Sequence, residues 1–243
     1  VESLAEDIST CILKHKDIQA CEVSIKKLDA FDIGLPGVII RRSQEKAFLL
    51  PIQQHESDQL IETIKKDGVA KLHLLSKNTL SRIKEELTNL PFHNAETYSG
   101  PYDIEQNFSY FRDFSKESIL WKLSGELEQL LTKTNSTHPN LFSTPLSFNE
   151  ISAQVYPIHL TGISPHKDES RFKNIIIICV IEGEGEFYVT SNREGDDKNI
   201  VTTKPGDILF MRAPGFNHEN IRPVHGVQNI TEERISLTLR QEG

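Results

Sequence analysis

Two histidines and one aspartate in the last third of the chain have the residue types and the order of a metal site. His166 and Asp168 lie two positions apart, and His225 follows later. On an extended segment, side chains two positions apart point to the same face, so His166 and Asp168 can reach one ion. Pro165 supports this geometry because it favours an extended conformation at Ser164. Two imidazoles and one carboxylate leave three coordination positions of a metal open, as in non-haem Fe(II) sites.

The second histidine of this set has two candidates. His218 and His225 both lie between a predicted turn at Gly206-Asp207 and Arg234. We favour His225, which lies nine residues before Arg234. His218 is the runner-up, because a loop histidine after Pro214-Gly215 could be a ligand or could orient one.

The final segment of the chain alternates polar and apolar residues, which is the pattern of a half-buried strand. Its apolar face carries Ile235, Leu237 and Leu239. Two arginines and two hydroxyls directed into a barrel would be costly unless an anion met them. A guanidinium suits a carboxylate because its N–H groups form paired hydrogen bonds. The polar face consists of Arg234, Ser236, Thr238 and Arg240.

This order of residues, His-x-Asp, a later His and then Arg-x-Ser, resembles that of the 2-oxoglutarate- and Fe(II)-dependent dioxygenase superfamily. The AlkB-like branch is the most similar, because a strand like Arg234-Ile-Ser-Leu-Thr-Leu-Arg240 closes its site. That branch also has Asn-x-Tyr shortly before His-x-Asp. Here Tyr156 matches that pattern, whereas Gln154 departs from it. The resemblance covers roughly residues 148–241.

The resemblance implies a double-stranded β-helix core that uses Fe(II), 2-oxoglutarate as co-substrate, and O2. It assigns His166, Asp168 and His225 to the iron, and Arg234 to the distal carboxylate of the co-substrate. The implied reaction hydroxylates a C–H bond and releases succinate and CO2. The other residues implied around the co-substrate are Ser236, Arg240, Tyr156 and Gln154.

Length, composition and pattern predict one compact α+β domain. A chain of 243 residues, 37% of them hydrophobic, can bury a substantial core. Short strands and turns follow the His-x-Asp motif, which indicates an antiparallel sandwich or barrel. We expect a jelly-roll catalytic core, the double-stranded β-helix, in residues 146–243, with supporting strands and helices in residues 1–145. Within the latter, residues 37–40 and 47–50 flank a polar turn and are predicted to form a hairpin.

Apolar residues at helical spacing predict three helices that buttress the core. The first is capped by Ser57 and ends near Gly68. The second begins at Ser76, and the third is capped by Ser115.

An aromatic and polar segment lies between the second and third predicted helices. It runs from Tyr98 to Arg112, and its apolar residues follow neither the spacing of a helix nor that of a strand. The corresponding segment of AlkB-like proteins covers the substrate. By analogy of position, Tyr102, Tyr110 and Arg112 are candidates for a substrate lid.

The charge balance bears on the partners of the protein. The net charge is −8, and the sequence has no long basic run. Nucleic-acid binding depends on neutralising phosphates with Lys and Arg, so we favour a small-molecule substrate. A local basic patch around Lys167, Arg171 and Lys173 keeps nucleic acid open as an alternative partner.

These observations predict a dioxygenase that hydroxylates a small polar or amino-acid-like substrate. The alternative is an AlkB-like oxidative demethylase of nucleic acid or protein. A cupin-like metal-binding module is a third, less favoured interpretation, since cupins have turns like Thr203-Lys-Pro-Gly-Asp207. In that interpretation Arg234 and Arg240 would have no function.

Cysteine usage and apolar runs bear on the compartment. The three cysteines show no Cys-x-x-Cys spacing, and their odd, low count favours a reducing compartment. The apolar run at residues 175–181 is too short to span a bilayer. The first residues are acidic and have no signal-like apolar segment. We therefore expect a soluble, cytoplasmic protein that does not bind membranes. The sequence does not indicate an oligomeric state.

Overall fold

The computed structural model of the protein describes residues 2–13, 15, 18, 20–27, 37–43, 50, 52–100 and 102–243. None of the described helices is long and apolar enough to cross a membrane. The helices are α1 (Glu2–Leu13), α2 (Gln54–Asp67), α3 (Lys77–Leu87) and α4 (Ile119–Thr137). The strands are β1 (Ala20–Lys26), β2 (Gly37–Ser43), β3 (Val69–His73), β4 (His93–Asn94), β5 (Tyr98–Ser99), β6 (Ile104–Glu105), β7 (Ser109–Phe111), β8 (Glu150–Tyr156), β9 (Ile163–His166), β10 (Phe172–Glu182), β11 (Gly185–Thr190), β12 (Asn199–Thr203), β13 (Asp207–Arg212), β14 (Val224–Gln228) and β15 (Arg234–Glu242).

The chain divides into two compact units, Val1–Ala47 and Phe48–Gly243. In the first unit, β1 and β2 form an antiparallel pair, and α1 packs against both strands. The strand predicted at residues 37–40 is therefore present, but its described partner is β1. Residues 47–49, most of the predicted partner segment, lie outside the described residues.

The second unit is built on two antiparallel sheets. The larger has seven strands in the order β3-β13-β10-β15-β8-β7-β4, and the smaller has four in the order β12-β11-β14-β9. One apolar core includes Ile176 and Met211 from the larger sheet and Phe187 and Val227 from the smaller. The two sheets therefore pack face to face as a sandwich. This architecture confirms the predicted α+β class with a jelly-roll core.

Three helices support the larger sheet, as the apolar spacing predicted. Helix α2 contacts β13, α3 contacts β10, and α4 packs on α2 and α3. Each helix buries one apolar stripe completely, with Ile64 in α2, Ile83 in α3 and Leu127 in α4. Burial of such side chains is the main source of helix stability in a small domain.

Two predicted helix ends are confirmed. Gly68 follows α2 in a left-handed conformation, and its N–H donates to the Ile64 carbonyl over 2.9 Å. Ser76 precedes α3, and its Oγ accepts a hydrogen bond from the backbone N–H of Thr79. Both arrangements satisfy backbone groups that a helix end leaves without partners.

Two predicted helix starts are wrong by a few residues. Helix α2 begins at Gln54, ahead of Ser57, because the Glu56 carboxylate accepts the backbone N–H of Gln53 over 2.8 Å. Helix α4 begins at Ile119, because the Oγ of Ser118, and not that of Ser115, accepts the backbone N–H of Leu120 in its first turn. Several polar residues precede each helix, and sequence alone does not show which of them makes the capping bond.

The turn between β10 and β11 requires a glycine, which gives a stability prediction. Gly183 has a φ of 73°, and a Cβ there would lie 1.9 Å from the carbonyl oxygen of Glu233. We expect Gly183→Ala to lower the free energy of unfolding by about 2 kcal/mol or more.

Gly125→Ala is the matched control for this experiment. Gly125 lies inside α4, and a Cβ there would meet nothing within 4 Å. This substitution should raise the free energy of unfolding by about 0.5–1 kcal/mol, because alanine favours helix. Urea unfolding measures both variants, and a Gly183→Ala protein as stable as the parent would contradict the prediction.

Candidate active site

Two neighbouring strands of the smaller sheet bring three metal-binding side chains together. His166 ends β9 and lies directly opposite His225 on β14, while Asp168 follows in the next loop. The ligand atoms of the three residues all lie within 4.8 Å of one another. The Nε2 atom of His225 is 3.6 Å from Oδ2 of Asp168, and the two imidazole centroids are 4.3 Å apart. Within the described part of the chain, this is the one such group.

Backbone groups fix the orientation of these side chains. Nδ1 of His166 donates to the Ser164 carbonyl over 3.0 Å, and Nδ1 of His225 donates to the Pro223 carbonyl over 3.2 Å. Both Nε2 atoms are thereby left as acceptors, which is the tautomer that binds a metal. The guanidinium of Arg222 donates to the backbone carbonyl of Asp168 over 2.7 Å and holds that loop in place.

The electrostatics of the group also suit a cation. Burial, together with the neighbouring His225, lowers the pKa of His166 to about 4. Burial also lowers the pKa of His225. Burial alone would raise the pKa of Asp168, but Arg240 and the two histidines outweigh it, so this pKa lies below its usual value. At neutral pH the group therefore consists of two neutral imidazoles and one carboxylate, the protonation states that bind a metal.

His218, the runner-up, lies elsewhere. It is exposed in a turn with a φ of 58°, and it is not part of the His166–Asp168 group. His225 is buried at 4% exposure and stacks on Phe187 with a centroid distance of 5.5 Å. The structure thus brings together the three residues that the sequence favoured.

The three side chains border a cavity of about 200 Å³ between the two sheets. The polar face predicted for β15 lines the same cavity, as do Gln154 and Tyr156 on the neighbouring β8. The rest of the wall is largely apolar and includes Ile104, Phe108, Ile163, Phe172, Ile178, Phe187 and Val227.

Arg234 is the most deeply buried charge of the cavity, with 1% exposure. Its Nη1 donates to Oγ1 of Thr203 over 2.8 Å, whereas its buried Nε has no hydrogen-bond partner. Among the described residues, no carboxylate lies within ion-pair distance of it. Burial lowers the pKa of this guanidinium, because it disfavours the charged form. A buried cation with unused donors at a cavity wall is suited to an anionic ligand.

Hydroxyls and one amide line the same cavity as this guanidinium. The Tyr156 hydroxyl and Oγ1 of Thr238 both donate to Oε1 of Gln154, over 3.2 and 3.1 Å. Burial raises the pKa of Tyr156 to about 12, so its hydroxyl remains a donor. Gln154, which departs from the AlkB-like pattern, therefore joins β8 to β15 inside the cavity.

Arg240 lies closer to the metal-binding group. Its Nη1 donates to Oε1 of Glu150 over 3.0 Å, and its Nη2 lies 3.7 Å from Oδ1 of Asp168. Arg240 also covers the ring of Phe172 at 4.8 Å. The two arginines of β15 are thus positioned differently, one deep in the cavity and one beside the Asp168 carboxylate.

Sequence reasoning did not identify two of these contacts. Thr203 belongs to β12, and only the folded sandwich places its hydroxyl beside Arg234. Glu150 lies opposite Arg240 in the β8–β15 pairing. The ion pair between them follows from this register, which the sequence alone does not reveal.

The three lid candidates occupy different positions. Arg112 lines the cavity, whereas Tyr102 and Tyr110 do not. Tyr102 is 64% exposed and packs under the Arg193 guanidinium at 3.9 Å. The short hairpin of β5 and β6 that carries Tyr102 nevertheless borders the cavity, through Ser99 and Ile104. Whether this hairpin covers a substrate stays a prediction.

Comparison with solved structures identifies the class of fold. A prolyl hydroxylase from Trichoplax adhaerens, solved with a hypoxia inducible factor peptide fragment, matches with a TM-score of 0.58 and 14% identity, over 78% of this chain and 90% of that chain. A prolyl-4-hydroxylase from Pseudomonas putida matches with a TM-score of 0.55 and 13% identity, over 77% and 99%. The structure of OsALKBH1 matches with a TM-score of 0.53 and 15% identity, over 72% and 98%.

The chain therefore has the fold of the 2-oxoglutarate- and Fe(II)-dependent oxygenases. At these sequence identities, structural likeness establishes the shared fold. No protein-family model matches the sequence, and no curated protein matches it significantly.

The low pKa of His166 gives a prediction for the metal-free protein. Below its ordinary value of 6.5, the imidazole is protonated in the unfolded chain but stays neutral in the fold down to about pH 4. Stability is therefore fully present above pH 6.5 and falls as the pH drops towards 4, by on the order of 3 kcal/mol. Urea unfolding with a chelator between pH 7.5 and 4 measures this loss.

The control for this titration is the exposed His218. His166→Gln should reduce the pH dependence to the part that comes from His225, whose pKa burial also lowers, while His218→Gln should leave it unchanged. An unchanged slope in His166→Gln would mean that another group causes the loss.

Proposed function

We propose that this protein is a 2-oxoglutarate-dependent Fe(II) dioxygenase that hydroxylates a C–H bond of a small polar or amino-acid-like substrate. One observation carries the proposal. A buried guanidinium without a carboxylate partner, Arg234, faces the same cavity as the His166–Asp168–His225 group. A metal-binding group alone fits many proteins, but the two features together match a metal and a dicarboxylate bound side by side.

In this proposal His166, Asp168 and His225 hold the iron. Ligands bound 2.0–2.2 Å from one metal at right angles lie roughly 3 Å apart. The 3.6 Å between Nε2 of His225 and Oδ2 of Asp168 needs only a small adjustment to reach that spacing. Iron with bound 2-oxoglutarate and O2 supplies oxidative decarboxylation to succinate and CO2, coupled to oxidation of the substrate.

The side chains of β15 position the co-substrate. Arg234 binds the distal carboxylate, with Thr203 fixing one end of the guanidinium and Ser236 beside it. Arg240 approaches the carboxylate next to the iron, since its Nη2 already lies 3.7 Å from Oδ1 of Asp168. The apolar wall keeps water out of the cavity, which strengthens each of these ionic contacts.

An oxidative demethylase of nucleic acid or protein is the second candidate. The strand from Arg234 to Arg240, which resembles that of AlkB-like proteins, favours it. The net charge of −8 opposes a nucleic-acid substrate. A fluorescence anisotropy titration at physiological salt separates the two, because micromolar, salt-sensitive oligonucleotide binding would support the demethylase. A cupin-like module is less well supported, since it gives Arg234 no ligand.

The proposed metal site predicts the outcome of single substitutions. His166→Ala, Asp168→Ala and His225→Ala should each abolish tight Fe(II) binding, because each removes one of three ligands. Anaerobic calorimetry measures the affinity. His218→Ala is the matched control and should bind Fe(II) as the parent does. A His225→Ala protein that binds iron normally would exclude His225 as a ligand.

The proposed co-substrate site predicts a loss of 2-oxoglutarate affinity. Arg234→Ala should weaken binding by on the order of 2–5 kcal/mol, because a buried carboxylate would lose its charged partner. Arg234→Lys should restore affinity only in part, since an ammonium cannot form the paired bonds. Titration calorimetry of the iron-loaded protein measures both.

Arg171→Gln is the control for this experiment. Arg171 lines the same cavity, but Glu169 and Glu242 already pair with it, at 2.9 and 2.6 Å. Its loss should leave 2-oxoglutarate affinity unchanged. Equal affinities of the parent and Arg234→Ala would remove Arg234 from this role.

A further inference from the structure

We propose that the substrate carries an anionic group, a carboxylate or a phosphate, which Arg112 and Lys167 bind at the rim of the cavity. This inference rests on the proposed dioxygenase function and adds a charge requirement for its substrate. The whole chain has a net charge of −8, yet five cationic and only two anionic side chains line the cavity.

Three of the five cations already have an assigned partner. Arg240 is paired with Glu150. Arg171 is paired with both Glu169 and Glu242, so it contributes no free positive charge. Arg234 lies deepest and, in the proposed function, meets the distal carboxylate of 2-oxoglutarate.

Arg112 is only loosely neutralised. Its Nε lies 3.8 Å from Oε1 of Glu150, the same oxygen that accepts the 3.0 Å bond from Arg240. The guanidinium lies over the Tyr110 ring at 4.7 Å, which orients it without using its N–H groups. Among the described residues, its terminal nitrogens have no hydrogen-bond partner. The N–H groups of the Arg112 guanidinium are thus held in one orientation and can donate to a ligand.

Lys167 is the other uncompensated cation. It lies between the two motif residues His166 and Asp168, lines the cavity, and is exposed to solvent. No described residue forms an ion pair or a hydrogen bond with its ammonium group. Because it is exposed and borders the cavity, it lies where the cavity meets solvent.

The co-substrate does not remove this positive charge. The two charges of Fe(II) would be balanced by Asp168 and one carboxylate of 2-oxoglutarate. The other carboxylate would be balanced by Arg234. The positive charges of Arg112 and Lys167 therefore remain unbalanced. The only opposing charge is the one extra negative charge of Glu169 and Glu242, which both pair with Arg171. Cationic groups left at the mouth of an apolar cavity attract an anion and raise its local concentration.

The size and lining of the cavity limit what else the substrate can be. A volume of about 200 Å³ is below the usual range for drug-sized ligands and must also hold the co-substrate. Apolar side chains such as Ile104 and Ile178 leave room for a short hydrocarbon segment. The inferred substrate therefore offers a small apolar part to the iron and keeps its charged group at the rim.

Paramagnetic relaxation tests this assignment without turnover. The protein is loaded with Mn(II), which the same donor set can bind, and saturated with 2-oxoglutarate. Nuclear relaxation rates are then measured for three probes: acetate, its uncharged analogue acetamide, and inorganic phosphate. Whichever group the substrate carries, we expect either the methyl protons of acetate to relax at least threefold faster than those of acetamide, or the phosphorus of phosphate to relax at least threefold faster than in the variant Arg112→Gln combined with Lys167→Gln. The same double substitution should abolish the difference between acetate and acetamide.

Lys173→Gln is the matched control. The Lys173 ammonium donates to the Ser170 carbonyl over 2.9 Å and does not line the cavity, so its loss should change nothing. Two results overturn the inference. One is an acetate relaxation rate equal to that of acetamide together with no paramagnetic enhancement of phosphate. The other is an enhanced anion relaxation rate that survives the double substitution. Calorimetry with 2-oxoglutarate on the same samples tests the function itself. Normal co-substrate binding without anion binding at the rim therefore rejects the inference alone.

Discussion

A guanidinium shielded almost completely from water constrains the rest of this structure. Removing a charge from water costs several kcal/mol, so Arg234 needs polar groups around it in a fixed arrangement. The fold supplies them from three strands, with Thr203 on β12, Tyr156 on β8 and Ser236 on β15 itself. A sandwich that packed its sheets differently would bury the same cation without its hydrogen bond to Thr203, because that residue comes from the other sheet.

The site depends equally on both sheets. The larger sheet carries the two arginines on β15, in the middle of seven strands, where β10 and β8 hold the backbone on either side. The smaller sheet carries His166 and His225 on paired strands. The apolar core between the sheets sets the distance between the arginines and the imidazoles. Packing of this core therefore determines whether the metal and the dicarboxylate of the proposed function can bind side by side.

Much of the site could be predicted because its signals are local. The order of His166, Asp168 and His225 and the alternation from Arg234 to Arg240 can be read without knowing which strands pair. Thr203 and Glu150 could not be found, because their roles arise from contacts between segments far apart in the chain. The helix starts were displaced for a related reason, since several polar residues compete to cap each helix and packing selects one of them.

The distribution of charge gives the acidic chain a selective cavity. Negative groups on the outer surface repel long polyanions, whose binding needs many phosphate contacts. Inside the cavity the balance is reversed, because each buried cation requires an anion in a medium that screens charge poorly. A small anion can pair with the cations of the cavity without contacting the negatively charged outer surface. In the proposed function, the same chain is therefore unsuited to nucleic acid and suited to a small anionic substrate, because the charge of its site differs from its net charge.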